Sequence, residues 1–395
     1  VGRFRVSLDV VTLGCRLNLA ESERIRALLP DGEDLIVINS CAVTAEAFRH
    51  TRQAIRKARR DRPEARLLVT GCAADIERVA LSRMPEVDGL VENASKLDPR
   101  AWNVPPRAET PPPVHTRGFI GVQNGCDHAC TFCVIPQGRG ESRSLTVTQV
   151  LREVERHLAI GVAEVVLTGV DVTSWGHDLP DSPPLGTLVR AVLSTFPELT
   201  RLRMSSLDGI EIDDELFELF AGEARLMPHL HLSLQHGHDL ILKRMRRRHS
   251  RADAVNLVER LKARRPEIAI GADLIAGFPT ETEAQHRANL SIVGDLDVVH
   301  GHVFPYSPRP RTPAARMPQV EKPVIKRRAA ELRAAVAQRR AAWLEGLIGT
   351  PQTVLAEADG TGHAENFARL ALPEGTPRGA VLTLTPTTLA EGLLR

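Results

Sequence analysis

Short apolar runs and amphipathic stretches alternate along the first ninety residues. Residues 4–13 are rich in Val and Leu and predict a strand, and the stretch from Glu21 to Leu29 predicts a helix. DLIVIN at 34–39 is a continuous apolar run of the buried-strand type. Ser40 and Thr44 suit a turn or cap ahead of a helix over 45–60. RLLVTG at 66–71 and the segment 75–84 repeat the strand-then-helix pattern, and 86–92 adds one more short apolar segment. Unbroken apolar strands joined by helices predict a small parallel α/β domain, because crossover helices cover both faces of such a sheet.

Residues 99–117 interrupt this rhythm. Pro99, Pro105, Pro106, Pro111, Pro112 and Pro113 fall there with little apolar content, which predicts an extended linker. The boundaries expected are a first domain at 1–98, a linker at 99–115, a large domain at 116–346 and a last module at 347–395. In the large domain the strands expected are 118–123, 164–169, 201–205, 230–234, 268–275 and 297–304. Helices are expected at 146–160, 184–195, 213–221, 251–265 and 281–294. Six strands with crossover helices fit a partial or open (β/α) barrel. Residues 321–346 form one Ala/Arg-rich helix of high intrinsic propensity. From Gly349 the pattern turns to short strands, 352–356 and 380–385, punctuated by Gly and Pro, and predicts a small β module docked on the main body.

Composition narrows the class. The chain has 395 residues, is 43% hydrophobic and carries a formal net charge of +2, so it can bury a core. No run of 18 apolar residues exists, and the opening VGRFRVSLDVVTLGC reads as a strand rather than a signal peptide. A cytoplasmic protein with no membrane partner is the expectation. Six cysteines are too few for a secreted disulfide scaffold.

Their placement matters more than their number. Cys15, Cys41 and Cys72 each follow an apolar run, two of them directly after Gly14 and Gly71. Parallel sheets gather their sites at the carboxyl ends of strands, so the three can converge; the plainer alternative is three buried small hydrophobes. Cys126, Cys130 and Cys133 lie in GCDHACTFCVIP with C-x3-C-x2-C spacing. Three thiolates in one compact loop suit three irons of a cubane cluster and leave the fourth iron open. Zinc is the alternative metal, with His128 as a fourth ligand.

These motifs resemble the methylthiotransferase family of radical S-adenosylmethionine (SAM) enzymes. The resemblance runs through TLGCRLNLAESE at 12–23, VINSCAVT at 37–44, TGCAA at 70–74 and QNGCDHACTFCVIPQGRGESRS at 123–144. It continues through LTGVDVTSWG at 167–176, RLRMSSLDG at 201–209, HLHLSLQHGHDLILKRMRR at 229–247, GADLIAGFPTETEA at 271–284 and VFPYSPRPRTPAARMP at 303–318. It implies a parallel-sheet α/β domain, a partial (β/α)6 radical SAM barrel and a C-terminal β domain similar to TRAM domains. It implies that Cys126, Cys130 and Cys133 hold the [4Fe-4S] cluster that binds SAM, and that Cys15, Cys41 and Cys72 hold a second [4Fe-4S] cluster where sulfur docks. Phe132 takes the aromatic position before the last cysteine of the loop. Gly169, Ser205, Gln235 and Asp273 fall at or near strand ends that face SAM. Arg143 and Arg139 flank the loop, as candidates for the SAM carboxylate, the RNA backbone or a substrate carboxylate.

The resemblance is strongest to the branch acting on N6-threonylcarbamoyladenosine at position 37 of tRNA. Sister branches modify N6-isopentenyladenosine in tRNA or an aspartate of a ribosomal protein. A non-catalytic RNA-binding protein stabilised by a cluster or zinc is the rival of another class. Partners implied are a tRNA anticodon stem-loop, an electron donor such as flavodoxin or ferredoxin, and a sulfur donor, with the chain acting as a monomer. Basic runs offer places for phosphate: Lys243, Arg244, Arg246, Arg247 and Arg248; the helix around Arg49–Arg60; and the helix around Lys326–Arg340. The last module is net negative and suits a phosphate clamp poorly. The sequence departs from the family pattern at His236 and His238, where Ser is usual, at Thr280, where Gly is usual, and at Gln137, where an aromatic is common.

Overall fold

The computed structural model describes residues 8–29, 34–103 and 115–395. The chain divides into two compact units. One comprises Val1–Val114, Asn124–Arg143 and Ser307–Thr312; the other comprises His115–Gln123, Ser144–Tyr306 and Pro313–Arg395. The cysteine loop, expected in the large domain, therefore groups with the first 114 residues, and the C-terminal module groups with the barrel segment. The prolines of the expected linker beyond Pro99, and the start of the first strand, lie outside the described residues.

In the first unit the chain runs β1 (Leu8–Thr12), α1 (Arg16–Leu28), β2 (Leu35–Ser40), α2 (Ala45–Asp61), β3 (Arg66–Gly71), α3 (Cys72–Ile76), α4 (Arg78–Ser82) and β4 (Gly89–Leu90). The four strands form one sheet in chain order, all parallel. Every residue of β2 is buried, which is why its sequence is apolar without alternation. Two clusters sandwich the sheet: Ile36, Ile38, Ile55, Leu67 and Val69 on one face, and Val10, Val37, Leu68, Ile25 and Trp102 on the other. Thr44 caps α2 by accepting from the Ala47 backbone N–H at 3.0 Å, as its position predicted. The helix expected at 75–84 is instead two short helices broken at Glu77, and α1 starts five residues earlier than expected, directly after Cys15.

The second unit holds six parallel strands of three to eight residues in two sheets: β5 (Arg117–Gly121), β8 (Glu164–Thr168) and β9 (Leu202–Met204), then β10 (His229–Gln235), β11 (Ala269–Ala276) and β12 (Val298–Pro305). Short strands β6 (Gln123–Asn124) and β7 (Arg143–Ser144) bracket the cysteine loop in sequence, with α5 (Ile135–Arg139) between them. Crossover helices α6 (Val147–Ala159), α7 (Leu185–Thr195), α8 (Asp214–Gly222), α10 (Arg251–Arg264) and α11 (Glu283–Asp295) follow the expected boundaries within about two residues. A short helix not foreseen, α9 (Asp239–Met245), starts at His238, whose Nδ1 accepts the Leu240 N–H at 3.2 Å. The long helix α12 (Lys322–Glu345) buries Ala329, Leu332 and Val336 against the same core as Ile270 and Leu274.

The C-terminal strands β13 (Gln352–Ala356), β14 (Thr361–Ala364), β15 (Arg369–Ala371), β16 (Val381–Leu384), β17 (Leu389–Ala390) and β18 (Leu393–Leu394) form one largely antiparallel sheet. This module docks through buried charge. Glu164 is fully buried, and its carboxylate accepts from Arg117, Arg201 and Arg203 at 2.7, 2.9 and 2.9 Å. The guanidinium groups use their remaining donors on the module: Arg117 on Glu357 at 2.5 Å, Arg201 on the Thr353 carbonyl at 3.3 Å, and Arg203 on the Glu365 carbonyl at 3.1 Å. Arg203 also stacks over Phe367, 4.9 Å from its ring centre. Burial opposes ionisation of Glu164, yet the three arginines hold its carboxyl far below the ordinary range.

Replacing Glu164 by Gln leaves three guanidinium groups facing one another. The variant is expected to lose about 3–5 kcal/mol of stability. Thermal unfolding measures the loss, and limited proteolysis should release Gly349–Arg395 at temperatures where the native chain resists.

Candidate functional site

The register of the first sheet brings the three early cysteines together. Thr12 pairs with Asn39, and Ser40 pairs with Gly71, so the carboxyl ends of β1, β2 and β3 lie side by side. Cys15, Cys41 and Cys72 follow these ends within one to three residues. Glycine permits the approach at two points. Gly14 has φ +99°, and a Cβ there would fall 2.8 Å from Cys41 Cβ. Gly71 has φ +87°, and a Cβ there would fall 2.4 Å from the Ser40 carbonyl oxygen. The thiols sense one another: burial pushes Cys41 up to about 11, with Cys72 and Cys15 adding to the rise against a Val43 backbone hydrogen bond. Cys15 is exposed, whereas Cys41 and Cys72 are buried.

The second cysteine set lies in the loop of the same unit. The Cys126 N–H donates to the Gly140 carbonyl at 3.1 Å, closing the loop at its neck. Gly125, at φ +78°, is needed there because a Cβ would fall 1.8 Å from the Glu141 carbonyl oxygen. The Cys133 N–H donates to Cys130 O at 3.2 Å, and the Ile135 N–H donates to Cys133 Sγ at 3.4 Å. Such N–H donors to sulfur stabilise a thiolate ligand.

A buried charged cluster ties this loop to the sheet. Glu21 on α1 accepts from Lys96 at 2.5 Å and from Arg139 at 2.9 and 3.1 Å. Arg139 also donates to Asn18 Oδ1 at 2.5 Å and to Asn124 Oδ1 at 2.8 Å. Asn18 in turn donates to the carbonyls of Leu13 and Ser40 at 2.6 and 3.0 Å, bracing the ends of β1 and β2. Asn93 donates to the Gly138 carbonyl at 2.6 Å. Two cations against one carboxylate leave one positive charge buried. Burial opposes that charge on Arg139, but Glu21 and the thiols of Cys72 and Cys15 more than restore it. This is the donor set an anionic thiolate-ligated cluster requires: soft sulfur ligands, with a cation beside them to balance charge. The residues present therefore fit an iron–sulfur group.

Arg139, expected to face substrate or RNA, is thus committed to Glu21 and is 5% exposed. Arg143 stays exposed, and Phe132 is half-buried beside its cysteine. In the second unit, Gly169 follows β8. A Cβ there would fall 2.8 Å from the Gln123 carbonyl oxygen, and Gln123 Oε1 accepts the Val170 and Asp171 N–H groups at 3.1 and 2.8 Å. Ser205, just past β9, keeps a buried hydroxyl with no hydrogen-bond partner among the described residues. Gln235 ends β10 at φ +70°, beside a register shift. Asp273 lies inside β11, between His231 and His302.

The basic run after β10, expected as an RNA surface, is partly engaged in ion pairs within its own unit. Arg247 donates to Asp208 and to the Ser233 carbonyl at 2.8 and 2.9 Å, and its side chain is 8% exposed. Arg248 pairs with Glu211 at 2.6 Å and Asp208 at 3.4 Å. Arg244 donates to Thr280 Oγ1 at 2.7 Å. Lys243 and Arg246 remain exposed. Thr280 itself sits at φ +69°, a conformation that suits the glycine usual at this position. His236 is fully buried, faces Glu281 at 3.3 Å, and accepts the His238 N–H on its Nδ1 at 3.0 Å. The basic residues of the other two helices are also widely paired, among them Arg56 with Glu86, Arg59 with Asp88, Arg328 with Glu281, and Arg339 with Asp297.

Comparison with known proteins places this geometry. Residues 120–290 match the Radical SAM superfamily, and residues 7–92 match the Uncharacterized protein family UPF0004. Over 411 aligned residues the chain is 42% identical to threonylcarbamoyladenosine tRNA methylthiotransferase MtaB of Rickettsia prowazekii (strain Madrid E), covering 100% of this chain and 98% of that protein. It is 32% identical to tRNA-2-methylthio-N(6)-dimethylallyladenosine synthase of Paracoccus denitrificans (strain Pd 1222), over 89% of this chain and 86% of that one. Among solved structures, the radical SAM methyltransferase TsrM from Kitasatospora setae shares the fold with a TM-score of 0.53 at 19% identity, covering 72% of this chain and 64% of that chain. The chain belongs to the methylthiotransferase family of radical SAM enzymes. SAM and an iron–sulfur cluster come with that membership. No helix among the described residues is long and apolar enough to cross a membrane.

Two outcomes follow from the charges. Glu21→Ala leaves Lys96 and Arg139 buried without their carboxylate. It should cost about 3–5 kcal/mol in urea unfolding followed by tryptophan fluorescence in a chain that keeps Trp102 and carries Trp175→Phe and Trp343→Phe. Burial opposes ionisation of Asp208, yet His249, Arg247 and Arg248 bring its carboxyl down to about 2. Its stabilisation is complete above an unfolded carboxyl pKa of about 3.9 and is lost as pH falls through the folded value. Asp208→Asn should therefore remove roughly 2 kcal/mol at neutral pH and flatten the acid limb of a stability–pH curve.

Proposed function

We propose that this chain converts N6-threonylcarbamoyladenosine at position 37 of tRNA to its 2-methylthio derivative, with SAM and two [4Fe-4S] clusters as cofactors. The observation that carries this reading is the gathering of two three-cysteine sets in one compact unit, in a chain alike along its whole length to a threonylcarbamoyladenosine tRNA methylthiotransferase. Cys126, Cys130 and Cys133 would hold the SAM-binding cluster, and Cys15, Cys41 and Cys72 the auxiliary one. With three protein ligands per cluster, one iron of each would be free to take SAM or sulfur. When bound, these groups supply reductive cleavage of SAM, hydrogen abstraction, and the sulfur and methyl of the product.

The chain's own residues set the conditions for that chemistry. The Ile135 N–H supports the charge on Cys133 Sγ. Arg139 offsets sulfur charge at Cys72 and Cys15, while Glu21 holds Arg139 and also Lys96, whose ammonium burial pulls below its ordinary range. Gly71 and Gly14 let the strand ends pack closely, which supports the reading that Cys15, Cys41 and Cys72 serve one cluster. In the second unit the unpartnered Ser205 hydroxyl and the strained Gln235 mark places for a polar ligand, since buried orphan groups and strained backbone concentrate where ligands bind. The six parallel strands with their helices suit a partial (β/α)6 radical SAM barrel, and the last sheet, a TRAM-like domain that braces it. The working partners are a tRNA anticodon stem-loop, a low-potential reductant of the flavodoxin or ferredoxin kind and a sulfur donor, in the cytoplasm.

Nucleoside mass spectrometry of tRNA from cells with and without the gene tests the substrate. Loss of 2-methylthio-N6-threonylcarbamoyladenosine alone is expected; loss of the isopentenyl product instead would overturn the assignment. Cys15→Ala should lower iron after anaerobic reconstitution from about eight to about four per chain. It should still release 5'-deoxyadenosine from SAM and reductant, yet form no methylthio product.

A further inference from the structure

Three side chains of the second unit that the cysteine chemistry leaves unused converge on one point. His231, Asp273 and His302 stand on the adjacent parallel strands β10, β11 and β12. In register, His231 pairs with Gly271 and Asp273 pairs with His302. Residues two apart on a strand share a face, so all three project to one side of the sheet. His231 Nε2 lies 3.1 Å and His302 Nδ1 lies 3.2 Å from the same oxygen, Asp273 Oδ1. All three donor atoms fall within 4.8 Å of one another. The two imidazole rings are 4.8 Å apart at their centres. Gly271 makes the room, since a Cβ there would fall 2.2 Å from His231 Nδ1.

The charge balance at this point differs from that at the other withdrawn carboxylates. Glu21, Glu164, Asp208 and Glu281 each face a lysine or arginine. Among the described residues Asp273 faces two imidazoles and no such cation. A neutral imidazole can hydrogen-bond a carboxylate but leaves its charge uncompensated. Two imidazole nitrogens and one carboxylate oxygen are the donor set of a borderline divalent transition ion, with ligand atoms about 3.4 Å apart around a tetrahedral centre. The two distances to Asp273 Oδ1 differ from that by a few tenths of an ångström. The His302 side chain is 64% exposed, which keeps the outer side accessible.

We propose that His231, Asp273 and His302 form a binding site for a divalent transition-metal ion of the zinc class, built without any cysteine and open at one position to an outside ligand. Zinc is the probe. Cluster-reconstituted enzyme, cleared of loose ions on a chelating resin, is dialysed anaerobically against ZnCl2, and bound zinc and iron are counted by mass spectrometry. One tightly held zinc per chain is expected, absent from His302→Ala and Asp273→Asn while iron stays unchanged. Zinc K-edge X-ray absorption should show nitrogen and oxygen neighbours only. His302 is exposed, so its variant keeps the test valid if Asp273→Asn fails to fold. No tight zinc in the native enzyme, equal zinc in His302→Ala, or sulfur neighbours would each overturn the site and leave a hydrogen-bonded trio.

Discussion

The Glu21 carboxylate, buried between Lys96 and Arg139, is the constraint on which the first unit depends. Each partner comes from a different stretch of chain: α1, the segment after β4, and the end of the cysteine loop. A buried charge is tolerated only when paired, so these stretches are held to one arrangement with little freedom to slide. Asn18 and Asn39 extend the same network to the strand ends. Cys72 and Cys15 lie near enough for their thiols to act on Arg139. The surplus positive charge gives the network a second side, since it is best satisfied when anionic sulfur ligands are in place.

The second unit repeats the device with the signs reversed in emphasis. One carboxylate, Glu164, gathers three arginines, and those arginines reach the C-terminal sheet. The acidity of the last module, which made it a poor phosphate clamp on paper, has a structural use here: Glu357 meets Arg117. Both units are thus joined internally by desolvated ion pairs. Such pairs confer specificity of arrangement more than net stability.

Most of the architecture was legible because it rests on local pattern. Continuous apolar runs gave the parallel strands, and Thr44 gave a helix start. The convergence of Cys15, Cys41 and Cys72 could be read from their common position after strands, with Gly14 and Gly71 as the signal for close approach. Charge was the part that could not be read. Arg139 meets Glu21 across 118 residues and Arg247 meets Asp208 across 39, and nothing local distinguishes such arginines from solvated ones. The same limit hid the His231–Asp273–His302 cluster, of which only Asp273 stood out from the sequence. Two alternating histidines on β10 and two on β12 were the signal available. Thr280 shows the converse: a departure from glycine, whose hydroxyl accepts from Arg244 at 2.7 Å while its backbone keeps the glycine-like turn.

The unequal exposure of the three early cysteines gives their site a direction. Cys41 and Cys72 lie under the ends of the sheet, and Cys15 stands at the surface, at the N-terminus of α1. Traffic in and out of the site is therefore one-sided. Oxidants and alkylating reagents meet the Cys15 sulfur before those of Cys41 and Cys72, so the first chemical damage falls on the one thiol of the three that lies open.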